Sequence, residues 1–263
     1  MKKSLIVSLS TLALTPALAL ADPPKEDGLW RGALSSSLAL ASGNTKSTNF
    51  SLGANSIKAT KEDRISLFLT SLYGSRDVAG KSEKTANQTR GGVRYDWNLS
   101  DRLFAFGTLE AEQDKIQRLD SRYLGGAGFG YRFIKEKDLS WDLFGGVSHK
   151  RDRNTITTTT TVAPIRTFDS TLSSSATELL LGEESNHKIT ESTSFKQKLT
   201  VYPNLSRSGE RRMQFDAGFV TSIASGIGLQ VTLSNRYNSE APAGTKKSDT
   251  LLLTGVTIAL GAK

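Results

Sequence analysis

The sequence predicts an all-β protein, a transmembrane antiparallel up-and-down β-barrel of about twelve strands, with ten or fourteen as the neighbouring counts. Three observations carry this reading. First, runs in which apolar residues alternate with polar or small ones follow one another along the chain; a period of two places the apolar residues on one face of a strand. Second, most of these runs exceed the roughly five or six residues of a soluble strand and suit the about 9–11 that a tilted membrane-crossing strand needs. Third, the connections alternate between short and long, as in bacterial outer-membrane barrels.

The elements follow in order. The first two are Trp30–Ala41 and Thr48–Ile57. The third, Arg64–Tyr73, sets Ile65, Leu67, Leu69 and Tyr73 on one face. The fourth, Thr89–Trp97, does so with Val93, Tyr95 and Trp97, and the fifth is Leu103–Glu112. The sixth, Arg122–Phe133, opposes Tyr123, Ala127, Phe129, Tyr131 and Phe133 to Gly126, Gly128, Gly130 and Arg132. The seventh is Leu139–Lys150, with Trp141, Leu143 and Val147 together. The eighth, near Ala176–Glu183, has the weakest pattern. The ninth, Ser192–Tyr202, opposes Phe195, Leu199 and Val201 to Lys196, Lys198 and Thr200. The tenth, Arg211–Thr221, opposes Met213, Phe215, Ala217 and Phe219 to Arg212, Gln214, Asp216 and Gly218. The eleventh, Ile227–Tyr237, has Ile227, Leu229, Val231 and Leu233 in phase. The twelfth, Ser248–Leu260, has Leu252, Val256, Ile258 and Leu260.

Short connections are expected at Lys58–Asp63, Asn98–Arg102, Ile134–Asp138 and Ser222–Gly226, with Glu184–Glu191 somewhat longer. Longer ones are expected at Gly74–Gln88, Gln113–Ser121, Arg151–Ser175, Pro203–Glu210 and Asn238–Lys247; Ser42–Ser47 is a short exception on that side. An even strand count leaves both termini on the short-turn, periplasmic side. Trp30, Trp97 and Trp141 lie beside the short turns, and Tyr73, Tyr123, Tyr202 and Tyr237 beside the long loops, which predicts two interfacial aromatic girdles. The Thr-rich segment Thr157–Thr161 reads as a solvated outer loop.

A leader precedes the strands. Lys2 and Lys3 form a positive start, Leu5–Leu20 an apolar stretch, and Ala19-Leu20-Ala21 a small-x-small cleavage site. Residues 1–21 are therefore expected to be a secretory signal peptide, and the mature single-domain barrel to begin at Asp22. A membrane anchor fits less well, because the stretch is short and lacks a stop-transfer flank. The chain has no cysteine, and a closed barrel needs none, since every strand is hydrogen-bonded on both sides. The net charge is +8. Nucleic acid is set aside as a partner, because the chain is exported and its basic residues are scattered. Outer-membrane lipid, acidic lipopolysaccharide, and small solutes or anions are the partners expected, with the barrel-assembly machinery for insertion.

Signals for chemistry are sparse. Of the two histidines, His149 falls at the outer end of the seventh strand and His187 in a periplasmic turn. A Ser-His-carboxylate site at the outer rim could use His149, yet no G-x-S-x-G motif accompanies it. No metal-ligand spacing and no cofactor motif is present, and the glycine pairs sit inside strands rather than ahead of a helix. Glycine there marks a bend, or a place where a crowded lumen needs no side chain. The inward face is the stronger signal. By alternation it holds Arg31, Arg64, Arg90, Arg94, Arg122, Arg132, Lys196, Lys198, Arg212 and Arg236, with Asp96, Glu110, Asp142, Asp216 and Asp249 as acidic partners. Glu110 shares its face with Phe104 and Phe106. Two readings follow: a lumen filled and stiffened by paired charges, or a water-filled pore whose basic excess favours anions.

Several runs carry a family resemblance. These are ESTSFKQKLTVYPNL from Glu191 to Leu205, FDAG from Phe215 to Gly218, GIGLQVTLSNRYN from Gly226 to Asn238 and KKSDTLLL from Lys246 to Leu253. SGNT from Ser42 to Thr45 and YLGGAGFGY from Tyr123 to Tyr131 fit the same pattern. The sequence resembles the DUF481 family, described as salt-induced outer membrane proteins, over nearly the whole mature chain. The resemblance implies an outer-membrane barrel without assigned catalytic residues. The last strand departs from general barrel practice by ending Leu260-Gly261-Ala262-Lys263 rather than in an aromatic residue. The functional expectation is thus a non-enzymatic structural or envelope-stress barrel, or a narrow pore. The alternatives are an outer-rim lipid-modifying enzyme and a soluble periplasmic ligand-binding barrel.

Overall fold

Alternating chains that cannot hide one face must either stack or close; this one closes. The computed structural model describes residues 25–41, 46–78, 81–159, 167–240 and 247–261. The expected leader over residues 1–21 lies outside them, as do the SGNT run at 42–45 and part of the Thr-rich segment. Twelve strands form: β1 (Arg31–Ala41), β2 (Lys46–Ala59), β3 (Asp63–Val78), β4 (Lys81–Asn98), β5 (Leu103–Asp114), β6 (Leu119–Lys135), β7 (Leu139–Thr159), β8 (Thr167–Lys188), β9 (Thr193–Pro203), β10 (Arg211–Ala224), β11 (Ile227–Asn238) and β12 (Ser248–Gly261). Each pairs antiparallel with its neighbours in sequence, and β1 pairs with β12 from Arg31↔Gly261 to Leu38↔Thr254, closing the barrel.

The two faces separate as the period demands. In β11, Leu229, Val231 and Leu233 are exposed on the outer wall, while Gln230, Thr232 and Ser234 are buried inside. The same outward exposure recurs at Leu34, Phe50, Leu69, Leu109, Phe129, Val147, Phe219 and Leu252, so the apolar band runs around the girth. A water-soluble barrel would bury that band. An apolar exterior around a charged interior is the arrangement a bilayer selects, because lipid offers the backbone no hydrogen-bond partner and a closed sheet satisfies every backbone group internally.

The strands run further than alternation alone indicates. β7 and β8 remain paired out to Thr159↔Thr167, so most of the long loop expected at Arg151–Ser175 is a β-hairpin. β3 and β4 likewise pair out to Val78↔Lys81, shrinking the loop expected at Gly74–Gln88. The reason is physical. Beyond the bilayer both faces of a strand are wet, so the period disappears although the hydrogen-bond ladder and the β-branched threonines persist. The 21 residues of β7 extend about 70 Å, or about 50 Å along the normal at a 45° tilt, against an apolar band about 25 Å tall. The projection lies on the long-loop side.

Trp30 and Trp97 are exposed at the short-turn end and Tyr73 and Tyr123 at the long-loop end. Tyr202 departs from the expected girdle. It is buried inside the barrel, because it shares the inward phase of Lys198 and Thr200, and its ring packs beneath Arg212.

Candidate functional site

The lumen is built in register. Near the short turns, Arg64 stands opposite Asp96, and Glu184 sits between Asp142 and Lys198. Asp96 is fully buried and accepts from Arg64 Nε at 2.7 Å and from Arg94 Nε at 2.6 Å. Arg64 also donates to Asp142 at 3.4 Å, and Lys198 Nζ lies 3.1 Å from Glu184. Towards the long loops, Arg122 donates to Asp152 at 2.7 and 2.9 Å and to Glu112 at 3.3 Å. Lys150 reaches Asp152 at 3.0 Å. Arg212 clamps Glu178 with both nitrogens, Nε at 3.0 Å and Nη2 at 2.5 Å. Arg236 holds Asp216 at 2.8 and 2.9 Å, and Ser234 donates to the same carboxylate.

Aromatic rings share this interior. Phe104, Phe106, Leu124, Phe144, Leu180 and Tyr202 form one buried cluster. Arginines lie on its faces: Arg94 is 4.4 Å from the Phe106 centroid and 4.6 Å from that of Phe144, and Arg132 is 5.0 Å from that of Phe104. Such contacts gain most when desolvated. Glycine makes the room. A Cβ on Gly130 would strike the Phe104 ring, which stands directly opposite, and one on Gly182 would strike Phe144. These glycines therefore do not widen the lumen; their neighbours' rings occupy the space.

Among the described residues, two cavities in the lumen have no lining residue in common. The inner one, about 190 Å³, reaches the short-turn end; Arg64, Arg94, Lys196, Lys198, Arg90 and Gln214 are among its walls. The outer one, about 230 Å³, reaches the long loops and is bounded by Arg122, Lys150, Arg212, Glu178 and loop residues such as Arg207 and Glu240. Between them lies a partition. Arg90 pairs with Glu110 and donates to Gln214 at 3.3 Å. β4 and β10 stand diametrically opposite in the ring, so this hydrogen bond crosses the full lumen. The Arg212 guanidinium, paired with Glu178, lies 4.6 Å from the Tyr202 ring centroid and forms the outer side of the partition.

Of the remaining inward candidates, Arg132 is buried and donates to Asn98 Oδ1 at 2.6 Å rather than to an acid. Arg31 sits at the short-turn rim, 2.7 Å from Asp27. That guanidinium, with the Leu29 amide, holds the Asp27 carboxyl well below the usual carboxylate range. Lys196 lines the inner cavity. Asp249 pairs with Arg236 through the backbone ladder, and its side chain lies outside the described residues. Sequence reasoning missed Glu112, Asp114, Lys150, Asp152, Glu178 and Glu184, all inward or lumen-facing by register. The signal existed: Lys150 and Asp152 continue the phase of Asp142 along β7. These acids reduce the basic excess that alternation alone assigned to the lumen. His149 faces outward, with one hydrogen bond among the described residues, Nδ1 to Thr177 Oγ1 at 3.2 Å; Ser148 is buried on the opposite face. Among the described residues no group of three or more His, Asp or Glu is arranged to hold a metal.

A closed barrel with a lipid-facing exterior and a charged, largely filled lumen defines the class: a membrane-spanning β-barrel. The family model described as "Protein of unknown function, DUF481" matches residues 35–260, and the chain belongs to that family. That description names no salt response. No curated protein matches the chain. Among solved structures it is similar to an outer membrane channel from Pseudomonas putida F1, at 10% identity and a TM-score of 0.49, covering 95% of this chain and 100% of that one. It is also similar to the β domain of a Bordetella autotransporter, at 12% identity and a TM-score of 0.44, covering 88% and 98%. The translocator domain of the autotransporter NalP from Neisseria meningitidis gives 10%, 0.43, 91% and 89% in the same order. At these scores the likenesses carry no function.

Proposed function

We propose that the chain is a non-enzymatic outer-membrane pore, narrow and closed at rest by its own side chains. In this reading the leader is removed on export, the barrel-assembly machinery inserts the barrel, and the long hairpins face outward. The carrying observation is the partition: among the described residues, two cavities reach opposite ends without a shared lining residue, with Arg90–Gln214 on the wall of one and Arg212–Glu178 on the wall of the other. Small charged solutes are the class that paired arginines and carboxylates would pass when the partition parts. The pairing also favours a second reading, a sealed barrel whose role is mechanical.

Planar-bilayer recording separates the two. Wild-type barrels should conduct weakly. Arg212→Ala combined with Glu178→Ala, and Arg90→Ala combined with Glu110→Ala, each remove a whole pair and should raise single-channel conductance at least twofold. If both variants fold, as judged by heat-modifiable gel migration, and conduct no more than wild type, the sealed barrel is the correct reading.

A further inference from the structure

The lumen does not account for a groove on the lipid-facing wall. It spans β4 to β7, has a volume of about 570 Å³, and is walled by Val93, Leu109, Ala111 and Tyr123. That volume falls within the about 300–1,000 Å³ of small-ligand sites. Register explains its shape. One row around the barrel runs Val93, Leu109, Gly125, His149, and the next row outward runs Gly91, Ala111, Tyr123, Arg151. Leu109 and Tyr123 stand out from the wall, 64% and 62% exposed, with Gly125 between them carrying no side chain. The apolar channel ends at His149 and Arg151.

Those two residues set the chemistry. The inward arginines named above are met by carboxylates or amides, whereas Arg151 is exposed on the outer wall and no carboxylate meets it among the described residues. Arg153, two residues further out, faces the same way and is also exposed. Asp120, on the adjoining β6, accepts instead from Thr155 at 2.8 Å. An acyl-sized groove capped by unpaired guanidinium at the membrane boundary is complementary to a lipid whose headgroup carries phosphate.

We propose that this wall binds a phosphorylated glycolipid of the outer leaflet, the lipid A portion of lipopolysaccharide, with an acyl chain against Leu109 and Gly125 and a phosphate on Arg151 beside His149. The choice of leaflet rests on the orientation given under the proposed function, with the long hairpins outside. The site itself is independent of whether the lumen conducts.

Native mass spectrometry of detergent-refolded barrels titrated with diphosphoryl lipid A tests it. Wild type should retain one lipid A. Arg151→Glu should weaken retention at least tenfold, and dephosphorylated lipid A should bind wild type as poorly. Gly125→Phe fills the groove and should weaken retention similarly; its Cβ would meet only Leu109 Cδ2, at an ordinary 3.4 Å, so the variant can fold. Both variants should keep wild-type conductance, so loss of the site and loss of the pore are read separately. Wild type that retains no lipid A, folded variants that bind like wild type, or a preference for phosphatidylglycerol over lipid A would each overturn the assignment.

Discussion

Asp96 is the most informative residue to remove. It is fully buried, and two arginines donate to it at 2.6 and 2.7 Å. Asp96→Ala strands both. Arg64 keeps Asp142, though at 3.4 Å, and Arg94 keeps the faces of Phe106 and Phe144. Hydrogen bonds to charged groups contribute about 1.5–3 kcal/mol each, and breaking a buried ion cluster costs about 3–5 kcal/mol. With Arg64 partly retained by Asp142, the expected loss is about 3–4 kcal/mol. Arg64→Met removes one donor and leaves Asp96 with Arg94, so it should cost less, about 1.5–3 kcal/mol. The assay is denaturant unfolding of refolded barrels in lipid vesicles, followed by the fluorescence of Trp30, Trp97 and Trp141. A double-mutant cycle then gives the coupling, expected at about 1–3 kcal/mol. The reasoning is refuted if Asp96→Ala costs under about 1 kcal/mol, or less than Arg64→Met, because the cluster would then be solvated rather than sealed.

Four further outcomes follow from the same geometry. Val231→Arg puts a charge on the lipid-facing wall and should lower unfolding stability by about 2–4 kcal/mol, measured in the same vesicles; a neutral effect contradicts the outward assignment of that face. Gly130→Leu drives a side chain into the Phe104 ring and should cost about 1–3 kcal/mol, with Phe104→Ala in the same chain restoring part of the loss. Arg212→Met with Glu178→Leu should be neutral or up to about 4 kcal/mol stabilising and conduct no more than wild type; greater conductance would show that apolar filling does not seal the partition. The lowered Asp27 carboxyl contributes its stabilisation above the ordinary aspartate pKa and loses it only as pH falls through the lower, folded value. NMR titration should therefore show Asp27 still ionised at about pH 3.8, and an ordinary midpoint there rules out the Arg31 clamp.

Much of this barrel can be read in its period. Ile227–Asn238 assigns Leu229 and Val231 to one face and Gln230 and Thr232 to the other, and the structure keeps that division. What period two cannot carry is register. Phe104, Phe106 and Phe144 fall on the inner face by phase but look lipid-facing by hydropathy. The conflict resolves only once Gly130 and Gly182 are known to stand opposite Phe104 and Phe144. Nor does a strand announce itself where both faces are wet, which is why Asp152, placed in the loop expected at Arg151–Ser175, escaped the inward set although its phase was correct. Arg90 and Gln214 lie 124 residues apart, and only closure brings them together.

The composition of the partition bears on why this lumen is charged at all. Eight strands already give an interior that side chains can fill, so twelve need the longest ones, and arginine stacked on phenylalanine or tyrosine spans the gap. Apolar filling is available to the chain: Leu124, Leu180 and the phenylalanines occupy the same interior. A buried ion pair is seldom more stable than the apolar pair that could replace it, since desolvating two charges offsets most of their attraction. Stability alone therefore gives no reason for Arg212–Glu178 to stand where a Met–Leu pair would serve. The pore proposed for this chain would give one, because the two halves of a partition that opens to water and ions would already be matched to solvent when they separate.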